Sequence, residues 1–391
     1  MSQVIHHIAV FVAGISLAWG MPIYGQTASD RYEQLRQEAQ RQMSLAADDQ
    51  DLIRLVQLDL ELSDAGDDSS NSCCREILKT LAVSQHPTAV EHVRSVFENE
   101  PERRSIAAWA LSQATTLRPT DLQDWRSMVR SLTVIQGDDA VSVLTALQRF
   151  RIRANKPQWV RQVILIGLQL KPDQQSAAAS LLQHWTGVPR KTVDASPWTL
   201  ADYQKWFSDE YPDQPEAVLP VDSGRDRWTL ATLQPAIQAL QPTAELAEAG
   251  AAVYQKAGCQ KCHRRGSLGE KQGPDLTSLG WRRQKSEILG AILFPSHDLN
   301  EEYPTVTIAL KDGRTFTGMM SAGSKDTVSL ISNLAVRQEF ARAEIDSIDT
   351  QKISNMPAGT LEPLTLDEIR ALFAFLTSVD GIPKPHGDEV Q

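Results

Sequence analysis

Five consecutive residues carry the strongest chemical signal in this chain: Cys259-Gln260-Lys261-Cys262-His263. Two thiols three residues apart sit on one turn of backbone, so each can form a thioether with one of the two vinyl groups of a haem. The imidazole that follows directly then falls under the ring and can give a nitrogen to the iron. Other uses of the pair fit less well. A zinc site would need two more Cys or His ligands at compatible spacing, and no second pair stands nearby. A thioredoxin-like redox pair would want a βαβ context, and the flanking pattern here is helical.

A sixth iron ligand must come from downstream. Met356 lies in Ser354-Asn355-Met356-Pro357, an irregular segment shortly before the last apolar helix pattern. A loop there can bring its sulfur over the ring, raising the potential and closing the last coordination position. Met319 and Met320 read as ordinary apolar fillers. His297, in Pro295-Ser296-His297-Asp298, is the rival ligand and otherwise a surface histidine.

The elements that would position these groups are legible on both sides. Before the motif, Leu246, Ala249, Gly250, Val253 and Tyr254 form one apolar helical stripe that ends at the thiols. Near the C-terminus, Thr365-Leu366-Asp367-Glu368 reads as a capping box opening a helix that carries Ile369, Leu372, Phe373 and Leu376 on one face. Two such helices, with Gly250 available for a close crossing, resemble the core of class I cytochromes c. The span between His263 and Met356 is longer than a minimal cytochrome needs. Val306, Ile308 and Leu310 alternate, Asp312-Gly313 gives a hairpin turn, and Phe316, Gly318 and Met320 continue the alternation. With Val328, Leu330, Val336, Phe340 and Ile345 this predicts five short strands at about 303–348, a small SH3-like or Sm-like barrel inserted in the C-terminal domain.

The rest of the 391 residues reads as helical. Ile53, Val56 and Leu60 recur at helical spacing, as do Ile106, Trp109 and Ala110, then Val160, Val163, Ile164 and Leu168. Punctuation falls at Pro87, Pro101, Pro119, Gly137, Pro157 and Pro172, where proline is tolerated in a first helical turn. Short amphipathic helices with tight connections predict an α-solenoid of the HEAT type over 26–210, with an irregular bundle as the alternative. Residues 211–242 hold Pro212, Pro215 and Pro220 and then one helical pattern, a linker before a haem domain at 243–391. The expected fold is therefore mainly α.

Residues 1–25 contain no Asp, Glu, Lys or Arg, and an apolar run from Ile8 to Leu17 precedes Gly20 and Gly25. That run is too short to span a bilayer and fits a secretory signal peptide. It predicts a periplasmic or otherwise exported protein, with no transmembrane segment after cleavage. No Cys lies near the cleavage region, which argues against lipid attachment there. A formal net charge of −10 argues against nucleic acid as a partner. Cys73 and Cys74, adjacent on a helical pattern with Ile77 and Leu78, read as buried and carry no assigned role.

An ordered set of motifs resembles the haem-binding domain of planctomycete and verrucomicrobial c-type cytochromes. It comprises Gly250 to Tyr254, the Cys259 to His263 motif, Gly273-Pro274-Asp275-Leu276-Thr277, Gly280-Trp281-Arg282, Pro295-Ser296, Tyr303, Lys311-Asp312-Gly313-Arg314, Gly318, Met356-Pro357-Ala358-Gly359 and Leu361. It covers about residues 243–380. Asn355 and Thr360 depart from it, standing where the family more often has Leu. The resemblance implies one covalently attached haem c, with thioethers at Cys259 and Cys262 and with His263 and Met356 as iron ligands. It also implies that the Pro274 carbonyl accepts the other imidazole proton, that Leu276 lies in the haem-binding run, and that Arg282 sits near the propionates. In that family the domain often follows HEAT-like repeats or a sugar-dehydrogenase-like β-propeller, and this sequence shows the helical pattern and no propeller pattern.

Three functions compete. A six-coordinate haem makes an electron carrier, and Lys256, Lys261, Arg264, Arg265 and Lys271 could form a basic collar that steers an acidic redox partner, a dehydrogenase or another cytochrome. A peroxidase-like haem enzyme would need an open iron position, which the Met356 reading removes. A solenoid that binds a partner, with the haem as an accessory, is the third and is compatible with the first.

Overall fold

The structure, a computed structural model, describes residues 27–45, 48–114, 122–154, 156–189, 197–222, 226–321, 323–379 and 382. The expected signal peptide at 1–25 lies outside the described residues, as does Pro119. Among the described residues no helix is long and apolar enough to cross a membrane. The molecule is mainly helical and divides into two compact units between Ala89 and Val90.

The first unit holds α1 (Ala28–Leu45), α2 (Asp49–Ser63) and α3 (Asp68–Ser84). Asp48 and Asp67 cap the second and third by accepting from backbone N–H groups of the first turn. The buried face of α2 is Leu52, Leu55, Leu58 and Leu62, while Ile53 and Leu60 are 51% and 47% exposed. The stripe through Ile53 and Leu60 is thus not the core face. This helix has two apolar stripes, and periodicity alone does not choose between them. Cys73 and Cys74 are buried thiols beside Ile77 and Leu78, as expected.

The helix α4 (Pro87–Asn99) spans the division. Then follow α5 (Arg104–Ser112), α6 (Leu122–Arg130), α7 (Gly137–Leu147), α8 (Pro157–Gln169), α9 (Gln175–Thr186) and α10 (Leu200–Glu210). Pro157 occupies the first turn of α8, where its missing N–H costs nothing. From α5 to α10, each helix packs on partners one or two places away in the chain.

The C-terminal region is built on α11 (Leu230–Gln238), α12 (Ala244–Lys256), the two-residue strands β1 (Arg264–Arg265) and β2 (Leu268–Gly269), α13 (Leu279–Arg282), α14 (Lys285–Leu293) and α15 (Leu366–Thr377). The capping box that opens α15 is formed by Thr365 and Glu368, as the sequence predicts. One core contains Leu233, Ile237, Leu240, Tyr254, Leu289, Leu372 and Phe373. α12 and α15 cross at Gly250, where a Cβ would stand 2.0 Å from the Ala371 carbonyl oxygen. Only glycine permits that approach.

Between α14 and α15 lie β3 (Thr305–Leu310), β4 (Thr315–Ser321), β5 (Thr327–Ile331), β6 (Arg337–Ala341) and β7 (Ile345–Thr350). All neighbours are antiparallel, in the order β6-β5-β4-β3-β7. Five strands were expected and five form, but they make an open sheet and not the expected closed barrel. The edge strands β6 and β7 are joined by a 3₁₀ turn at Arg342–Glu344 and do not pair with each other. Closure depends on strand tilt and shear, which an alternating pattern does not encode. Val306, Ile308, Leu310, Val328, Leu330 and Phe340 form the buried cluster of this sheet.

Candidate haem site

The two thiols are placed by the end of α12. Gly258 takes a left-handed conformation at φ 79° and turns the chain into a 3₁₀ turn at Cys259–Lys261. The His263 N–H donates to the Cys259 carbonyl at 2.9 Å, which fixes the imidazole one turn beyond the first sulfur. Cys259 and Cys262 are free, half-buried thiols. Burial pushes the Cys259 thiol up to about 11, with Cys262 adding to it, and burial also raises Cys262. Burial thus favours the neutral thiol at Cys259, while the Lys261 charge opposes the rise at Cys262.

His263 is held from three sides. Its Nδ1 lies 2.8 Å from the Pro274 carbonyl oxygen. A carbonyl can only accept, so Nδ1 carries the proton and Nε2 keeps the lone pair that a metal would take. The ring lies against Gly273, where a Cβ would stand 2.9 Å from Cε1 and 3.1 Å from Nδ1. The buried Tyr254 hydroxyl donates to the His263 carbonyl at 2.7 Å. Burial lowers the imidazole pKa, against the opposing bond to Pro274. The neutral, ligating form is therefore favoured.

The loop that carries Pro274 is pinned in turn. Backbone N–H groups of Gln272 and Gly273 both donate to the Cys262 carbonyl, and that of Leu276 donates to the Arg264 carbonyl at 2.8 Å. Leu276 packs on the apolar core. The Arg282 guanidinium donates to the Asp275 carbonyl at 2.8 Å. Burial would raise the Asp275 carboxyl, but bonds from Thr277 and Arg264 outweigh it and hold the group below its ordinary value. The structure thus brings Cys259, Cys262, His263, Pro274, Leu276 and Arg282 into one neighbourhood.

Met356 sits apart from these contacts in the 354–359 segment. It is half-buried, and its N–H donates to the Ser354 hydroxyl at 3.1 Å. Ser354 N–H reaches the Ser296 hydroxyl, and the Asn355 side-chain amide donates to the Ile331 carbonyl, each at 3.1 Å. These bonds tie the methionine segment to the end of β5 and to the loop after α14. The rival His297 faces Arg161, with Nδ1 3.5 Å from the guanidinium, and burial followed by that charge lowers its pKa.

Of the expected basic collar, Arg265 turns inward, while Lys256, Lys261 and Lys271 stay exposed. Arg265 is 9% exposed, donates to the Ser378 carbonyl at 2.6 Å and lies 4.2 Å over the Phe375 ring. Lys256 pairs with Glu368 at 2.6 Å, and Arg264 pairs with Asp275. A guanidinium on a three-carbon stem buries easily on an aromatic, and nothing in Arg264-Arg265 marks which side chain turns inward. The sequence reading also missed the Tyr254 hydroxyl bond, whose only signal was its place in the apolar stripe.

Residues 247–380 match the family model of cytochrome c. The match covers the thiols, the imidazole, the Pro274 loop and the Met356 segment, and it supports a c-type cytochrome haem-binding domain in this part of the chain. No curated protein matches the chain. The geometry agrees with the match. Two free thiols on one turn, a lone pair held on Nε2 and a glycine clearing the ring face suit a covalently held haem.

Proposed function

We propose that this chain is an exported cytochrome with a single haem c, which transfers electrons to or from a redox protein docked on its helical region. The observation that carries the reading is the fixed imidazole: Nδ1 is committed to Pro274 at 2.8 Å, and two free thiols stand within one turn. Cys259 and Cys262 would hold the group covalently, and His263 and Met356 would be the iron ligands. Pro274 orients the imidazole, Leu276 keeps its loop on the core, and Arg282 would be the residue to meet the propionates. Bound there, haem supplies a one-electron couple, whose potential a thioether ligand raises. With His263 and Met356 both held as ligands, the iron would have no position left for a substrate, so the protein's part would be shielding, orientation and docking.

The finer parts of the reading rest on the sequence. Residues 1–25 direct export. Residues 26–210 form HEAT-like repeats that dock a dehydrogenase or another cytochrome, residues 211–242 lead from them into the core of the next domain through α11, and residues 243–391 bind the haem. The motif order supports a likeness of this domain to planctomycete and verrucomicrobial cytochromes.

The test is a visible spectrum of the haem-loaded protein, oxidised and then reduced with and without carbon monoxide. The expected result is a weak band at the red end that disappears on reduction and in Met356→Ala, with no carbon monoxide uptake by the parent. A high-spin spectrum that takes up carbon monoxide readily would refute six-coordination and place a haem enzyme first.

A further inference from the structure

We infer that Arg104, on the helical side of the second unit, is a positioning residue for the axial imidazole, acting through the Arg282 turn and the Pro274 loop. The inference rests on the haem reading above.

Arg104 opens α5 and is 6% exposed. Its Nε donates to the Phe97 carbonyl at 3.2 Å, and its Nη1 crosses to the Arg282 carbonyl at 2.9 Å. Its guanidinium also lies 5.4 Å over the Phe97 ring. Arg282 in turn donates through Nη2 to the Asp275 carbonyl at 2.8 Å, and the preceding residue, Pro274, accepts the His263 Nδ1 proton. Three hydrogen bonds and one peptide bond thus lead from a helix of the repeat region to the ring. The seam around them is tied as well. Glu102 accepts from the Lys285 N–H at 2.9 Å, and the Thr133 hydroxyl donates to Glu287 at 3.0 Å. On the other side of the turn, Gly280 abuts the Thr377 carbonyl, 2.3 Å from where a Cβ would be. The turn is therefore held between α15 and Arg104.

A buried cation bonded to carbonyls is a poor device for stability alone. Desolvation offsets most of what the bonds return, and an apolar side chain of similar volume often serves as well. What the guanidinium gives that an apolar group cannot is direction, since one rigid fork joins carbonyls of two layers. A bond from the imidazole N–H to a fixed carbonyl makes the other nitrogen a stronger donor to iron, which favours the oxidised state. Loosening the loop should weaken that effect and raise the potential.

The experiment uses the full-length haem-loaded protein, as parent, Arg104→Met and Arg104→Lys. Two quantities are read: the midpoint potential, and the rate at which the His263 ring N–H exchanges with deuterium, followed by proton NMR in the reduced state. Arg104→Met is expected to keep the red-end band, raise the potential and speed ring exchange about tenfold, the protection of one ordinary hydrogen bond. Arg104→Lys, which can reach only one of the two carbonyls, should fall between. Should the Met variant not fold, the Lys variant decides alone. Parent-like potential and exchange in the folded variants would overturn the proposal. A parent without His263 ligation would instead overturn the haem reading, and this inference with it.

Discussion

At the scale of single residues, the site works by denying His263 any freedom. Gly273 is one exacting part, because the imidazole fills the volume a side chain would take, 2.9 Å from the absent Cβ. Gly273→Ala should push the ring off the Pro274 carbonyl, costing about 1–3 kcal/mol by overpacking. The altered ligation is read in the visible spectrum; a parent-like spectrum would mean that the loop yields without moving the ring. The thiols offer a second test in the protein before haem is attached. With Cys259 held up to about 11 by burial, its thiolate is scarce at neutral pH. Alkylation by iodoacetamide should be slow at pH 7 and climb about tenfold per pH unit until that value is neared. Fast labelling at pH 7 would contradict the burial. Of these residues, Cys259, Cys262 and His263 stood out by type and spacing, whereas the Pro274 contact, expected from the resemblance alone, forms at 2.8 Å. Arg265 was not legible, because a basic residue in a hairpin of two-residue strands reads the same whether it faces water or the Phe375 ring.

At the scale of elements, the crossing of α12 and α15 sets the frame on which the thiols hang. Gly250 sits where the two backbones touch, with the Ala371 carbonyl 2.0 Å from a hypothetical Cβ. Gly250→Val must part the helices, and a loss of about 2–4 kcal/mol is expected from the resulting strain and lost packing. Urea unfolding of the two proteins measures it, and an unchanged midpoint would mean that the crossing relaxes freely. Both helices were legible: one carries a clean stripe, and the other begins at a capping box whose two bonds form as written. The five strands were legible for the same reason, since alternation reports which side of a strand is buried. Their closure was not, because whether β6 meets β7 depends on twist accumulated over the whole sheet. The same limit explains α2. Its sequence shows two apolar stripes, and only the neighbouring helices decide that Leu55 and Leu58 go inward while Ile53 stays out.

At the scale of the molecule, the second unit joins helices α5 to α10 and the region that matches cytochrome c more closely than a linker would. α11 is short and carries Pro235, features that suit a connector, yet its Leu233 and Ile237 are fully buried in the same core as Tyr254 and Phe373. The helix is fastened at both ends. Trp228 donates through its indole N–H to the Leu364 carbonyl at 3.2 Å, and the buried Lys285 ammonium donates to the Leu240 carbonyl at 2.7 Å. If α11 is part of the core that supports the haem, a cavity opened in it must be felt there. Ile237→Ala removes three buried carbons and should cost about 2–4 kcal/mol. The decisive feature is the probe: unfolding followed by the haem absorbance should shift to lower urea by the same amount as unfolding followed by far-ultraviolet circular dichroism. A haem transition that stayed in place while the helical signal moved would show that α11 rests on the domain without sharing its cooperative fold.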